Sequence, residues 1–349
     1  VTTLLIYGAN GYTGRLIAIE AVRRGLDPIL AGRDAIAIGA LATELGVRHR
    51  VFTVADAAPH LSDVEIVLHC AGPFSVTSAP MIEACIQSRS HYLDLTGEIE
   101  VFEHAFAQHT RAQQAGIVLC AGVGFDVIPT DCAAVAAARA LPGADQLAVG
   151  MSTSSSYSPG TLKTVLEVLA SGGKVRQHGE IVQVRQAWKT RSIDFGNSPR
   201  QAMTVPLGDV STALYSTGIP TIEYYAALPP TLIRIAKIAG PGSALLRLRA
   251  ARTLLAKLVD AFVSGPSEDE RRTRTVRVWA EVTDAHGATR VARVTTSSIY
   301  DVTIHGALAV AEHLSRNETP GGAYTPAMLA GPDLITTLPG ASSITITES

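Results

Sequence analysis

The chain has no excess of basic charge, few aromatic residues and no long apolar run. Its 349 residues carry 29 Lys and Arg against 31 Asp and Glu, a formal net charge of -2. That balance offers no surface for a polyanion, and no nucleic-acid partner is expected. No window reaches the roughly 20 uninterrupted apolar residues that would span a bilayer. Only four cysteines occur, Cys70, Cys85, Cys120 and Cys132. None forms a C-x-x-C pair or lies near a histidine at ligand spacing, so neither a metal site nor a disulfide framework is expected. Reduced thiols fit a cytoplasmic protein. The strand-like stretch over 1–7 leaves no space for a leader, so no export signal is expected.

What is present is a globular composition, 47% apolar and 17% charged, over a length that suits two domains. Short β-branched runs alternate with helical stretches from residue 1 to about 141, which predicts a parallel sheet with crossover helices. Strands are expected over 4–7, 29–31, 50–54, 66–69, 92–95 and 117–120. Helices are expected over 15–24, 35–45, 80–88 and 101–115. Six such strands make a doubly wound α/β unit of the Rossmann type. After Leu141-Pro142-Gly143 the rhythm becomes mixed. A strand over 146–153, a Ser/Gly-rich turn over 154–160 and a helix over 161–170 precede a stretch, 174–216, that reads as strands and loops. Segments 275–283 and 289–297 flank Asp284-Ala285-His286-Gly287 and predict an antiparallel hairpin. A helix over 299–314 and a loop-rich tail follow.

The strongest local signal is Gly8-Ala9-Asn10-Gly11-Tyr12-Thr13-Gly14, which follows the first strand and opens the first helix. Glycines spaced G-x-x-G-x-x-G let the backbone turn tightly against a pyrophosphate, and the helix N-terminus supplies amides and a dipole for the anion. Strand, turn and helix in that order are the context such a motif requires. Cofactor choice is read at the end of the second strand, where NAD would call for an acidic residue on the ribose hydroxyls. Here the residues are Ala31-Gly32-Arg33-Asp34. A planar guanidinium at Arg33 suits a 2′-phosphate, so the expected cofactor is NADP(H). The bland alternative is a solvated Arg33 with Asp34 capping the next helix.

In an open parallel sheet the reacting end of a dinucleotide lies beyond the C-terminal ends of the strands. Three loops are expected there: Cys70-Ala71-Gly72-Pro73-Phe74 after His69, Asp94-Leu95-Thr96-Gly97-Glu98, and Gly122-Val123-Gly124-Phe125-Asp126. Ala71, Gly72, Pro73, Phe74, Thr96, Gly97 and Phe125 are the candidate contacts to the nicotinamide half. Asp126, Glu98 and Tyr92 are the candidate catalytic residues, with Asp94, His69 and Tyr157 as further titratable groups in or near the loops. A carboxylate in such a cleft relays protons when burial raises its pKa, and the same carboxylate at a helix start is a cap; both uses stay open. Gly160-Thr161 offers a further helix N-terminus. No tyrosine has a lysine four residues on, which argues against the Tyr-x-x-x-Lys proton donor of short-chain dehydrogenases.

Together these motifs resemble the saccharopine-dehydrogenase-like oxidoreductases, in particular the bacterial branch with the mycobacterial trans-acting enoyl reductases. The resemblance rests on the glycine turn, Ala31-Gly32-Arg33, Cys70–Phe74, Tyr92-Leu93-Asp94-Leu95-Thr96-Gly97-Glu98 and Gly124-Phe125-Asp126-Val127-Ile128-Pro129-Thr130-Asp131. It continues in the hairpin and in Tyr324-Thr325-Pro326-Ala327. It implies a nicotinamide cofactor and a discontinuous nucleotide domain, 1–142 plus 299–349, with a mixed α+β substrate or dimerisation domain, 143–298, inserted. Members differ in substrate: some act at amino-acid C–N bonds, others on carbon–carbon double bonds of lipid or polyketide intermediates, and some animal relatives sit on lipid droplets.

Residues 229–262 alternate apolar positions with Arg234, Lys237, Arg247, Arg249, Arg252 and Lys257. They form a candidate peripheral membrane or acyl-chain surface, unless the apolar face packs on the protein or on a second subunit of a homodimer. An NADPH-dependent reductase of a C=C bond in an apolar acyl substrate is therefore expected. A C–N reductase or dehydrogenase gripping a carboxylate through Arg176, Arg185 or Arg191 is the alternative. A nucleotide-binding regulator or lipid-surface protein without turnover is the reading from another class.

Overall fold

The computed structural model describes residues 2–153, 172–239 and 275–348. The turn over 154–160 with Tyr157 and Gly160, the helix over 161–170, and residues 240–262 of the basic segment lie outside the described residues. The chain divides into two compact units, Val1–Cys132 with Ile299–Pro339, and Ala133–Ser298 with Gly340–Ser349.

The first unit is built on a seven-stranded sheet in the order β15-β6-β5-β4-β1-β2-β3. Its members are β1 (Leu4–Tyr7), β2 (Ile29–Gly32), β3 (His49–Val51), β4 (Ile66–His69), β5 (His91–Asp94), β6 (Val118–Cys120) and β15 (Gly322–Ala323). Every pair is parallel. β1, β2 and β4 are buried along their whole length, as expected of strands covered on both faces, which read as continuous apolar runs rather than alternating ones. The strand ends are in register: Tyr7 lies opposite Ala31 and His69, and His69 lies opposite Asp94. One row of residues thus marks the edge from which the functional loops leave.

The crossover helices follow from their apolar spacing. In α1 (Tyr12–Arg23) the buried Gly14, Ile17, Ala18 and Ala21 form a single stripe at helical period. In α2 (Ala35–Leu45) Ile38, Leu41 and Ala42 do the same, between an Asp34 cap and a left-handed Gly46 at φ 68°. The expected helix over 101–115 is two helices, α4 (Ile99–Ala107) and α5 (His109–Ala115), broken at Gln108. α3 (Phe74–Ser88) begins earlier than its apolar pattern suggests, and α6 (Ile128–Ala140) leads the chain out of the unit.

In the second unit nine described strands form a mixed sheet along β10-β11-β12-β7-β13-β14-β16, with β8 and β9 attached through β12. They are β7 (Gln146–Thr153), β8 (Gly173–Gln177), β9 (Glu180–Val184), β10 (Thr190–Asp194), β11 (Pro199–Thr204), β12 (Thr221–Ala227), β13 (Val276–Thr283), β14 (Thr289–Thr296) and β16 (Thr345–Glu348). The β7–β12 pair is parallel and its neighbours are antiparallel. β13 and β14 form the expected hairpin, closed by Asp284, whose Oδ1 accepts from the His286 and Ala288 amides. Within the stretch read as strands and loops lies a helix, α7 (Asp209–Thr217). α8 (Pro230–Ala239) is the described part of the basic segment.

The chain returns to the first unit as α9 (Ile299–Arg316), followed by α10 (Pro326–Ala330). The last ten residues correct the expected division of the chain. The resemblance places residues 340–349 with the nucleotide domain, but β16 pairs antiparallel with β14 and belongs to the second unit. No described helix is long and apolar enough to cross a membrane.

Candidate functional site

At the end of β1, Gly8 takes φ 82°, and its amide donates to the Ala31 carbonyl at 2.7 Å. A Cβ there would lie 2.8 Å from the Ala71 amide nitrogen and Cβ. Gly8 therefore provides both a left-handed turn and the close approach of the β4 loop. Gly14 is tighter still, since its Cβ would meet the Gly8 carbonyl oxygen at 2.3 Å. Helix α1 can lie this close to β1 only without a side chain at that position. Gly11, the N-cap of α1, makes no side-chain capping bond, so the first-turn amides of α1 face outward as an anion cradle. Asn10 is exposed, and its Oδ1 would stand 3.1 Å from a Cβ on Gly32. Thr13 is half-buried and Tyr12 is 66% exposed.

Beyond β2 the two neighbours Arg33 and Asp34 separate in role. The Asp34 carboxylate accepts from the Ile36 and Ala37 amides at 3.1 and 3.0 Å. Asp34 thus caps α2. Arg33 is exposed and makes no hydrogen bond or ion pair among the described residues. Its positive field reaches the Tyr7 hydroxyl, where it partly offsets the upward shift that burial imposes on Tyr7. An unpaired guanidinium beside a glycine, one strand from the phosphate turn, fits a 2′-phosphate.

Two carboxylates tie together the loops after β4, β5 and β6. Asp94 is fully buried at the end of β5. Its Oδ1 accepts from the Thr96 and Gly122 amides at 3.0 and 2.8 Å, and its Oδ2 accepts from the Tyr92 hydroxyl at 2.7 Å. Burial raises its pKa to about 6 despite the three donors, which pull it down. Glu98 accepts from the Phe74 and Ser75 amides, both at 3.1 Å, and so caps α3 from the neighbouring loop. The Thr96 hydroxyl accepts from the Glu98 amide at 3.0 Å.

These contacts correct three expectations. Tyr92 is 0% exposed and its hydroxyl is committed to Asp94, so it has no access to a substrate. Burial, then the Asp94 charge, holds its pKa well above the ordinary phenol value. Glu98 serves as a cap for α3. Phe125 is 3% exposed and its amide donates to Thr303 Oγ1 at 3.2 Å, so it braces the loop instead of facing a ligand. His69 is structural as well: it is fully buried, its Nε2 lies 2.9 Å from Thr77 Oγ1, and burial pushes its pKa to about 3.

Asp126 remains as the accessible acid. Its side chain reaches solvent, yet the protein around it raises its pKa by desolvation. A Cβ on Gly97 would come within 2.9 Å of its Oδ2, so this glycine makes room for the carboxyl. Ala71, Gly72 and Pro73 line the neighbouring loop, half-buried or exposed.

In the second unit two of the three candidate carboxylate-binding arginines are already engaged. Arg176 donates to the Val210 and Gly179 carbonyls at 2.8 and 2.6 Å. Arg191 pairs with Glu281 at 2.9 Å, with its guanidinium 4.9 Å from the Trp279 ring centre. A 480 Å³ cleft beside them is lined by Lys189, Arg191, Glu223, Tyr225 and Glu281, whose charges pair with one another. Arg185 is the exception, in contact with the Trp188 ring at 5.9 Å.

A parallel sheet whose first turn cradles an anion, with a free guanidinium beyond the second strand, defines a Rossmann-type dinucleotide-binding domain. Residues 4–120 match the family model of the saccharopine dehydrogenase NADP binding domain. The chain is 28% identical over 156 residues to the human saccharopine dehydrogenase-like oxidoreductase, covering 37% of this chain and 35% of that one. It is 29% identical over 139 residues to a trans-acting enoyl reductase of Mycobacterium bovis, covering 37% of this chain and 33% of that one. The chain thus spans a third of the length of these two curated relatives. In fold it matches yeast saccharopine dehydrogenase (L-Glu forming) over 100% of both chains, with a TM-score of 0.69 at 12% identity.

Proposed function

We propose that the protein is an NADPH-dependent reductase that acts on a carbon–carbon double bond of an apolar acyl substrate. The observation that carries the cofactor half is the unpaired Arg33 beside the Gly8–Gly14 turn. The first-turn amides of α1 hold the pyrophosphate, Arg33 holds the 2′-phosphate, and Ala71, Gly72, Pro73 and Gly97 line the nicotinamide side, while Thr96, 1% exposed and bonded to Asp94 and Glu98, braces the loop. Bound dihydronicotinamide supplies a hydride. Asp126 is the acid that holds the proton, since desolvation keeps its carboxyl protonated to higher pH than usual. An acyl substrate is favoured over a free amino acid because the nicotinamide-side loops carry no arginine, and Arg176 and Arg191 are committed elsewhere. The relatives named for enoyl reduction support the same choice.

The test is NADPH oxidation, followed by absorbance, with enoyl thioesters, cyclic imines and amino-acid/2-oxo-acid pairs. Turnover is expected with enoyl thioesters, and Asp126→Asn is expected to lose it while still binding NADPH. Turnover confined to imines or amino-acid pairs would move the assignment to C–N chemistry. Tight NADPH binding without any turnover would make the protein a nucleotide-binding regulator.

Arg33→Ala separates the cofactor claim from the substrate claim. Loss of a charge-assisted contact to phosphate is worth about 1.5–3 kcal/mol, so NADPH affinity should fall roughly 10- to 100-fold. NADH affinity should hardly change. Equal affinity of the unaltered protein for NADPH and NADH would remove Arg33 from its role.

A further inference from the structure

Helices α1 and α9 run side by side in the same direction. The Tyr12 and Tyr300 rings meet edge to face at 5.1 Å near their starts. Further along, His305 Nδ1 stands 3.4 Å from Glu20 Oε1, and near the far ends Arg24 pairs with Glu312 at 2.9 Å. Since α1 leaves β1 through the glycine turn, its N-terminus lies at the edge where the functional loops gather. The N-terminus of α9 is therefore brought to that same edge.

One turn into α9, Thr303 fixes this start against the β6 loop. Its Oγ1 accepts from the Phe125 amide at 3.2 Å, and its Cγ2 would stand 3.3 Å from a Cβ on Gly124. In the sheet order β6-β5-β4-β1-β2, Arg33 and the adenosine half lie on the β2 side of the phosphate turn. The nicotinamide half must extend the other way, past β4 and β5 toward β6. The first turn of α9 reaches from the phosphate turn, through Tyr12, to the β6 loop, through Thr303.

Along that path two large aromatic side chains stand open to solvent, Tyr12 at 66% and Tyr300 at 46% exposure. Aromatic residues make up only 5% of the chain, and burial in a core does not account for this pair. Resting on the NADP reading above, we infer that Tyr300, supplied by the returning helix and held against Tyr12, forms an aromatic wall on which the nicotinamide ring packs. Ring-on-ring contact of this kind tolerates loss of the hydroxyl and requires the aromatic face. Tyr300 lies 288 positions from Tyr12 in the chain and joins the cofactor site only through the fold.

The experiment titrates the full chain with NADPH and, separately, with adenosine 2′,5′-bisphosphate, which carries the phosphates and lacks the nicotinamide. Tyr300→Leu should weaken NADPH about tenfold, the scale of one aromatic stacking contact. It should leave adenosine 2′,5′-bisphosphate within about twofold, and it should reduce the emission gained by dihydronicotinamide on binding. Tyr300→Phe should behave as the unaltered protein in both titrations. Unchanged NADPH affinity in Tyr300→Leu overturns the inference, and so does equal weakening of both ligands, which would mean that Tyr300 acts through the phosphate turn or the fold. Binding of adenosine 2′,5′-bisphosphate by the unaltered protein secures the cofactor reading whatever Tyr300 does. If neither ligand binds, that reading falls and the inference with it.

Discussion

Asp94→Ala is expected to unfold or nearly unfold the first unit, whereas Asp94→Asn is expected to fold and to lose a pH dependence. The alanine variant strands three buried donors at once, the Thr96 and Gly122 amides and the Tyr92 hydroxyl. Each unsatisfied buried donor costs about 1–3 kcal/mol, so the sum, about 3–9 kcal/mol, is comparable to the whole stability of a typical domain. Asparagine keeps an oxygen for the two amides and turns its NH2 toward the Tyr92 oxygen, at the loss of about one hydrogen bond.

The sign of the pH effect follows from the raised pKa. An aspartate that titrates near 3.8 when unfolded and at about 6 when folded binds its proton more tightly in the native state. Its contribution to stability is complete below the unfolded value and is lost as pH rises through the folded one. A shift of about two units corresponds to roughly 3 kcal/mol. Asp94→Asn should therefore be slightly less stable than the unaltered protein near pH 4 and gain on it steadily up to pH 7. Glu20 pulls in the opposite sense: hydrogen bonding to Arg23, partly opposed by burial, lowers its pKa to about 2, so its contribution is lost as pH falls. The informative quantity is accordingly the difference between the two proteins in denaturant unfolding at pH 4 to 7.5. A difference that stays flat with pH would show that Asp94 is not the buried ionisable group proposed.

Strands β1, β2 and β4 of the first sheet were legible because burial on both faces demands continuous apolar runs. The glycine turn was legible because only glycine satisfies its geometry at Gly8 and Gly14. β15 was not, since two residues, Gly322 and Ala323, carry no periodicity and are held by pairing with Val118 and Leu119. Helix α7 was hidden for another reason: Asp209-Val210-Ser211-Thr212 contains poor helix formers that tertiary burial overrides. The tail strand β16 is polar and exposed, so no apolar alternation marks it.

In the site, the sequence could not separate the roles of three carboxylates because their partners come from other loops. Glu98 meets amides 23 and 24 positions away, and Asp94 meets one 28 positions away. One signal was available. Tyr92 and Asp94 stand two apart on a strand, hence on the same face, which already placed the hydroxyl beside the carboxylate. Asp126 kept its place as candidate acid because nothing among the described residues claims its oxygens.

Gly14→Ala is expected to abolish measurable NADPH binding, and the reason lies in what the added carbon meets. Its nearest contacts are the Gly8 carbonyl oxygen at 2.3 Å and the Ala9 Cα and Gly8 carbonyl carbon at 3.0 Å. All three are backbone, so no rotamer change relieves the clash, and α1 must move away from β1 by on the order of 1 Å to restore ordinary contact. That motion carries the first-turn amides off the pyrophosphate position and disturbs the turn that Gly8 makes against Ala71. Misplacement of preorganised groups by about 1 Å costs on the order of 100-fold, and the overpacking itself costs about 1–3 kcal/mol of stability. Gly11→Ala is the matched comparison, because its Cβ would meet only the Gly8 oxygen at 3.3 Å, a contact that a few tenths of an ångström relieve. Fluorescence titration with NADPH should therefore give at least a 100-fold loss for Gly14→Ala and a much smaller one for Gly11→Ala. Gly14→Ala should also melt several degrees lower, with its far-ultraviolet circular dichroism retained. If it bound NADPH within about threefold of the unaltered protein, close packing of α1 on β1 would not be what positions the cofactor.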